Sequence, residues 1–190
     1  MGRLFDKVEQ FVKESFIKAG KNHQIKHFER TVYWVKQLNS KADEALIISA
    51  MAHDIERASR TKEQNQKKDD LGLTHPEFFR PHEERGAEII ASFLKREGAN
   101  QKMIERVKML VSKHEEGGNE DQNLLKDADS ISFFENNLPH FLGVEKIADV
   151  GGKERTKAKI DWMYVRITSE KAKQIVKPWY DKAIKELEAI

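Results

Sequence analysis

The chain contains no cysteine, which removes disulfides, zinc ribbons, iron–sulfur clusters and a thiolate nucleophile together. Proline is scarce, at 4 in 190 residues, and glycine stands at 10. Neither a low-complexity tract nor a disordered chain fits that composition. No apolar run approaches the ~18 residues that a membrane-spanning helix needs. Neither sign of charge is in excess, because 34 basic and 32 acidic residues spread along the chain leave a net charge of +2. A broad basic face of the kind duplex nucleic acid requires is therefore not expected. The N-terminal MGRLFDKVEQFVKESF carries Asp6, Lys7 and Glu9, which leaves no apolar core for a signal peptide. Asp6 also stands where a myristoylation signal wants Ser or Thr. These absences lead to the expectation of a cytoplasmic protein with no membrane partner.

What is present suits a globular chain. Hydrophobic residues make up 38% and charged residues 35%, enough for one core under a heavily solvated surface, so residues 1–190 are expected to form a single domain. Helical periodicity dominates. Leu4, Val8, Phe11, Val12 and Phe16 share one face of a first helix that Gly20 ends. A second helix is expected from about Gln24 to Leu38, and a third from Asp43, a plausible N-cap, to Arg57. From residue 58 to 81 the sequence is polar without a sustained period, and the expectation is a long loop, a flap over a site with a mobile insertion as the alternative. Pro81 is expected to start a fourth helix closed by Gly98. Asn100 is expected to cap a fifth that ends at Gly117-Gly118, and a sixth holds DADSISFF. Two C-terminal helices follow within 153–188, the last kinked at Pro178. With no strand alternation, the fold class is all-α, a single-domain helical bundle.

Several of these helices place ionisable groups where core residues belong. His53 extends the stripe of Leu46 and Ala50, and Asp54 that of Ile47 and Ala50. His82 heads the series Gly86, Ile89 and Phe93, while His114 continues Met103, Val107 and Leu110. Asp129 stands between Leu125 and Phe133, and His27 leads Thr31, Trp34 and Leu38. Such faces point inward. One histidine on an apolar stripe is more often a hydrogen-bonded core residue than a ligand, and one buried aspartate more often a cap or ion-pair partner. Five helices with the same habit are harder to explain that way. Uncompensated buried carboxylates cost several kcal/mol, and a divalent cation held by imidazole and carboxylate neutralises them.

His27 within HFERTV, His53-Asp54 within AMAHDIERA and Asp129 within KDADSISFF resemble the signature of the HD-domain metal-dependent phosphohydrolase superfamily. The resemblance covers roughly residues 20–135 and implies an HD-type helical domain with His27, His53, Asp54 and Asp129 as metal ligands. His82 and His114 stand where several branches add two histidines, for a second metal or for substrate phosphate; both have an alternative as polar wall residues. Ser130 follows the last aspartate where a basic residue is common, and Lys113-His114 replaces a His-His pair.

The chemistry implied is hydrolysis of a small phosphate ester, a nucleotide first among candidates, by attack of hydroxide generated on the metal. Asp54 then belongs to the catalytic group. Arg30 and Lys113 are the expected cations for the phosphoryl charge. Asp127 is a candidate to orient a ligand imidazole or move a proton, and Glu56 is a further base. Lys159 and Arg166 could reach an anionic substrate, but solvated helix faces explain them more cheaply. The nitrogen–oxygen ligand set suits manganese, iron, cobalt, nickel or zinc, in one or two copies, better than magnesium. A homodimer is the default assembly. The alternatives are a di-iron oxygenase of the same superfamily, which requires both His82 and His114 as ligands, a non-catalytic nucleotide-binding module, and a metal-free bundle.

Overall fold

A computed structural model describes residues 3–72 and 74–189 and, among them, contains helices and turns but no strand. Helix α1 (Arg3–Lys18) buries Phe5, Val8, Val12 and Phe16, spaced three and four apart, and Gly20 ends the following turn at φ +68. A short 3-10 turn leads into α2 (Ile25–Leu38). Helix α3 (Glu44–Ala52) starts at Asp43, whose side chain accepts the Leu46 N–H at 2.9 Å, as an N-cap should. It is buried on every side, so it forms the centre of the bundle. Its end passes through His53 and Asp54 into a 3-10 turn, Ile55–Ala58.

The polar segment expected as a loop is largely helical. Helix α4 (Lys62–Leu71) and the opening of α5 (Pro76–Arg96) occupy it, with Leu73 outside the described residues. The physical reason is that α4 is mostly exposed and buries no apolar stripe. Periodicity has nothing to register there, although Lys, Glu and Gln are good helix formers. Helix α5 begins at Pro76, with His75 as its N-cap, so Pro81 lies inside the helix and does not start it.

Helix α6 (Gln101–Val111) is capped by Asn100 and stops before His114, which follows in a turn. Helix α7 (Glu120–Ser132) opens with a capping box between Asn119 and Gln122. It widens into a π-helical turn over Phe133–Asn137, a feature that often marks functional sites. Helices α8 (Leu138–Phe141) and α9 (Val144–Asp149) are too short for their periodicity to be read. Helices α10 (Lys153–Val165) and α11 (Glu170–Ala189) complete the chain, and α11 runs through Pro178 as one element.

One hydrophobic cluster joins α1, α2, α3, α5, α6 and α7; a second joins the π-helical turn, α8, α9, α10 and α11. Trp34 and Leu38 of α2 pack against both. Among the described residues no helix is long and apolar enough to cross a membrane. The histidines and aspartates singled out above lie on α2, the end of α3, α5, the turn after α6, and α7.

Candidate metal centre

Four buried imidazoles are oriented alike. His27, His53, His82 and His114 are each at most 3% exposed, and each commits its Nδ1 to a neighbour. His53 donates Nδ1–H to the Ala50 carbonyl at 2.9 Å and His114 to the Val111 carbonyl at 2.8 Å. The Ser132 hydroxyl donates to the His27 carbonyl at 2.7 Å, so its oxygen is left to accept from His27 Nδ1 at 2.9 Å. Nδ1 of His82 lies 2.7 Å from Glu56 Oε2. An acceptor on Nδ1 holds a proton there and makes Nε2 the nitrogen that would bind an ion. The rings sit edge to face in a chain, with centroids 5.3 Å apart for His27–His53, 5.2 Å for His53–His114 and 5.4 Å for His82–His114.

The four Nε2 atoms face two buried carboxylates. Asp129 Oδ1 lies 3.0 Å from His27 Nε2 and 3.4 Å from His53 Nε2. Asp54 Oδ1 lies 2.9 Å from His82 Nε2 and 3.7 Å from His114 Nε2, and its Oδ2 is 3.5 Å from His53 Nε2. His27, His53 and Asp54 offer ligand atoms within 4.8 Å of one another, and so do Asp54, His82 and His114. The two triads share Asp54.

The buried Nε2 atoms of His53 and His114 have no hydrogen-bond partner. Buried polar atoms in native proteins are nearly always satisfied, so an unpartnered Nε2 that faces a carboxylate is compatible with a cation held between them. Nitrogen and oxygen donors without sulfur are the ligand chemistry of divalent transition ions. The residues present fit such an ion, and the shared carboxylate gives the arrangement two compartments.

A layer of charge surrounds the cluster. Burial opposes ionisation of Asp54, yet Arg57, with Nη1 at 2.9 Å, and the histidines hold its carboxyl well below the usual carboxylate range. Burial likewise opposes ionisation of Asp129, and Arg166, His27 and His53 more than offset it. Arg166, 5% exposed, forks onto Asp129 and Glu115, and its Nε donates to Ser130 Oγ at 2.9 Å. The basic group missing from position 130 is thus supplied in space by the residue that follows α10. Glu115 is held down to about 2, against its burial, by Arg166, Lys159 and His114. Glu56 takes Arg60 at 2.7 Å and Arg85 at 2.8 Å. Burial lowers His27, which suits a neutral ligand, whereas His114 is raised to about 9 because Asp54, Glu115 and Glu83 outweigh its burial.

Three expected site residues lie elsewhere. Arg30 turns to Glu135, with both hydrogen bonds at 2.7 Å, and lies over the Tyr33 ring. Lys113 is exposed and pairs with Glu116 at 2.5 Å. Asp127 faces away from the imidazoles and accepts the Thr168 and Ser169 N–H groups at 2.7 and 2.8 Å, anchoring the segment before α11. Glu56, expected as a base, is buried among cations and orients His82. Of Lys159 and Arg166, assigned to solvated faces, Lys159 is buried because α10 packs its Thr156, Lys159, Ile160 and Met163 face inward, and the Arg166 side chain is covered at the site although the residue is half-buried. Arg57 and Glu115 escape sequence reasoning altogether, although Arg57 stands three residues after Asp54 and Glu115 directly follows His114.

Above the cluster a chamber of 50 Å³ is lined by His27, His82 and Asp129 together with Arg57, Arg60 and Lys159. Those three cations also line a neighbouring cavity of 880 Å³, large enough for a small-molecule ligand.

Among known proteins, the family described as a domain of unknown function, DUF4202, matches residues 8–183. No curated protein matches the chain. The crystal structure of a "predicted HD superfamily hydrolase" from an uncultured Thermotogales bacterium aligns over 97% of this chain and 89% of that chain, with a TM-score of 0.57 and 20% identity. That likeness is one of fold, and it is the helical HD-type fold that the sequence resemblance implied.

Proposed function

The chain belongs to the DUF4202 family, and from the centre it carries we propose that it is a metal-dependent hydrolase of small phosphate esters. The observation that carries the reading is the common orientation of four imidazoles, each with Nδ1 committed and Nε2 facing Asp54 or Asp129. His27, His53, Asp54 and Asp129 would hold one divalent ion, and Asp54, His82 and His114 have the donors for a second. When bound, such an ion polarises a phosphoryl oxygen and lowers the pKa of water.

The protein supplies the rest. Glu56 fixes the tautomer of His82, the Ala50 and Val111 carbonyls fix those of His53 and His114, and Ser132 does so for His27. Pre-set rings spare the site reorganisation when a ligand arrives. Arg57 and Arg60 line the chamber and favour an anionic substrate. The depth of the chamber beneath the larger cavity suits a phosphoryl group entering first, with the remainder of the molecule in the 880 Å³ space. A nucleotide ranks first on family analogy. The hydrolase named in the solved structure is consistent with this class of reaction.

A di-iron oxygenase is the second reading, favoured by the presence of both His82 and His114 in the cluster. The cationic walls favour hydrolysis. The test is phosphate release from a panel of nucleoside mono-, di-, tri- and cyclic phosphates with manganese, cobalt, nickel and magnesium, with oxygen uptake followed in parallel. Metal-dependent release that falls by about two orders of magnitude or more in His53→Ala is expected. Release that survives the substitution, or oxygen uptake without release, overturns the proposal.

A further inference from the structure

Around the centre every buried carboxylate already has a cationic or backbone partner. Asp54 is taken by Arg57, Glu56 by Arg60 and Arg85, and both Asp129 and Glu115 by Arg166. Glu83, raised by its burial, accepts the Glu115 N–H at 2.7 Å. Among the described residues Lys159 is the cation left over. It lies on the inward face of α10, is 7% exposed, and its Nζ sits 4.2 Å from the centroid of the Trp162 ring. No hydrogen bond or ion pair holds that amine among the described residues.

The aromatic face offsets only part of the burial. A cation–π contact is weaker than the cost of taking an ammonium ion out of water, and the ring uses none of the amine's three N–H donors in a hydrogen bond. Burial pushes Lys159 down to about 8, against the pull of Glu115 and Asp129, so the amine is still largely a cation at neutral pH. A second donor beside it is also unused, since the buried Nε of Arg57 has no partner. Lys159 and Arg57 line both the chamber over the cluster and the 880 Å³ cavity. They therefore stand at the neck between the two.

We propose that Lys159 and Arg57 Nε form an anion subsite at this neck, which takes oxygens of the substrate's phosphoryl group. A tetrahedral oxyanion offers several acceptors at once, which is what an ammonium and a nearby N–H lack here. The inference rests on the hydrolase reading for the identity of the anion, but not on that reading for its existence. Lys159 is then a residue that touches substrate, and the C-terminal helix α10 becomes part of the site.

Calorimetric binding of inorganic phosphate tests this, on wild type, Lys159→Gln and Lys159→Arg, each metal-loaded and metal-stripped, with metal content and thermal unfolding measured alongside. The expected result is phosphate binding by wild type, at least about tenfold weaker in Lys159→Gln at unchanged metal content, and partly restored in Lys159→Arg. Lys159→Met, which keeps the apolar stem, replaces Lys159→Gln if that variant does not fold. Unchanged phosphate affinity, absence of binding by wild type, loss of metal together with the lysine, or failure of both neutral variants to fold would each overturn the subsite. A wild type that holds no metal, yet binds phosphate through Lys159, sinks the hydrolase reading and upholds the subsite. A metal-dependent hydrolase whose phosphate affinity ignores Lys159 does the reverse.

Discussion

Asp127 and Asp129 lie two positions apart on α7 and serve different purposes. Asp129 Oδ1 meets His27 and His53 at 3.0 and 3.4 Å, whereas Asp127 ties down the two backbone N–H groups before α11. Replacing Asp127 with Ala is expected to cost about 3 kcal/mol in urea unfolding, since two hydrogen bonds to a buried charge are lost, while metal content stays at the wild-type level. Asp129→Ala should do the opposite and lose metal. Equal metal loss in both variants would return Asp127 to the centre. The sequence makes the buried histidines and aspartates legible because an ionisable residue on an apolar stripe is conspicuous. It does not do the same for the cations. Arg30 is three residues from His27, yet its guanidinium goes to Glu135 on the π-helical turn. Arg166 lies far along the chain and reaches Asp129 and Glu115. Side-chain direction, which chain proximity does not encode, decides between them.

Among the elements, α5 packs against the end of α3 at Gly86. A Cβ built there would lie 3.4 Å from the His53 carbonyl oxygen and 3.6 Å from Val111 Cγ1, so the helix can pass the end of α3 only with a very small side chain. Gly86→Ala gains about 1 kcal/mol of helix propensity against a tight but tolerable contact. A stability change within about 1 kcal/mol and full metal content are expected. Gly86→Leu should displace the His53 carbonyl and reduce metal content several-fold; retention of both metal and stability in the leucine variant would contradict this packing. The long amphipathic helices and the caps at Asp43 and Asn100 could be read from sequence because periodicity and capping chemistry agree there. Helix α4 could not, since it is polar all round. On α10 a lysine and a threonine share the buried face with Ile160 and Met163, which disguises the stripe and, with it, Lys159.

Across the whole molecule, nearly balanced charge conceals a sorted interior. Candidate ligands from α2, the end of α3, α5, the turn after α6 and α7 come together, while α10 and the turn after it bring Lys159 and Arg166 against them. The bundle therefore encloses a shell of imidazoles and carboxylates inside a shell of cations, under a cavity open to a ligand. The central claim is that this inner shell is a metal site. Anomalous diffraction from crystals grown with zinc tests it directly. A peak within about 2.3 Å of Nε2 of His27 and His53 and of oxygens of Asp54 and Asp129 is the expected result. Full-occupancy zinc elsewhere on the protein, with no peak among these four side chains, would contradict it.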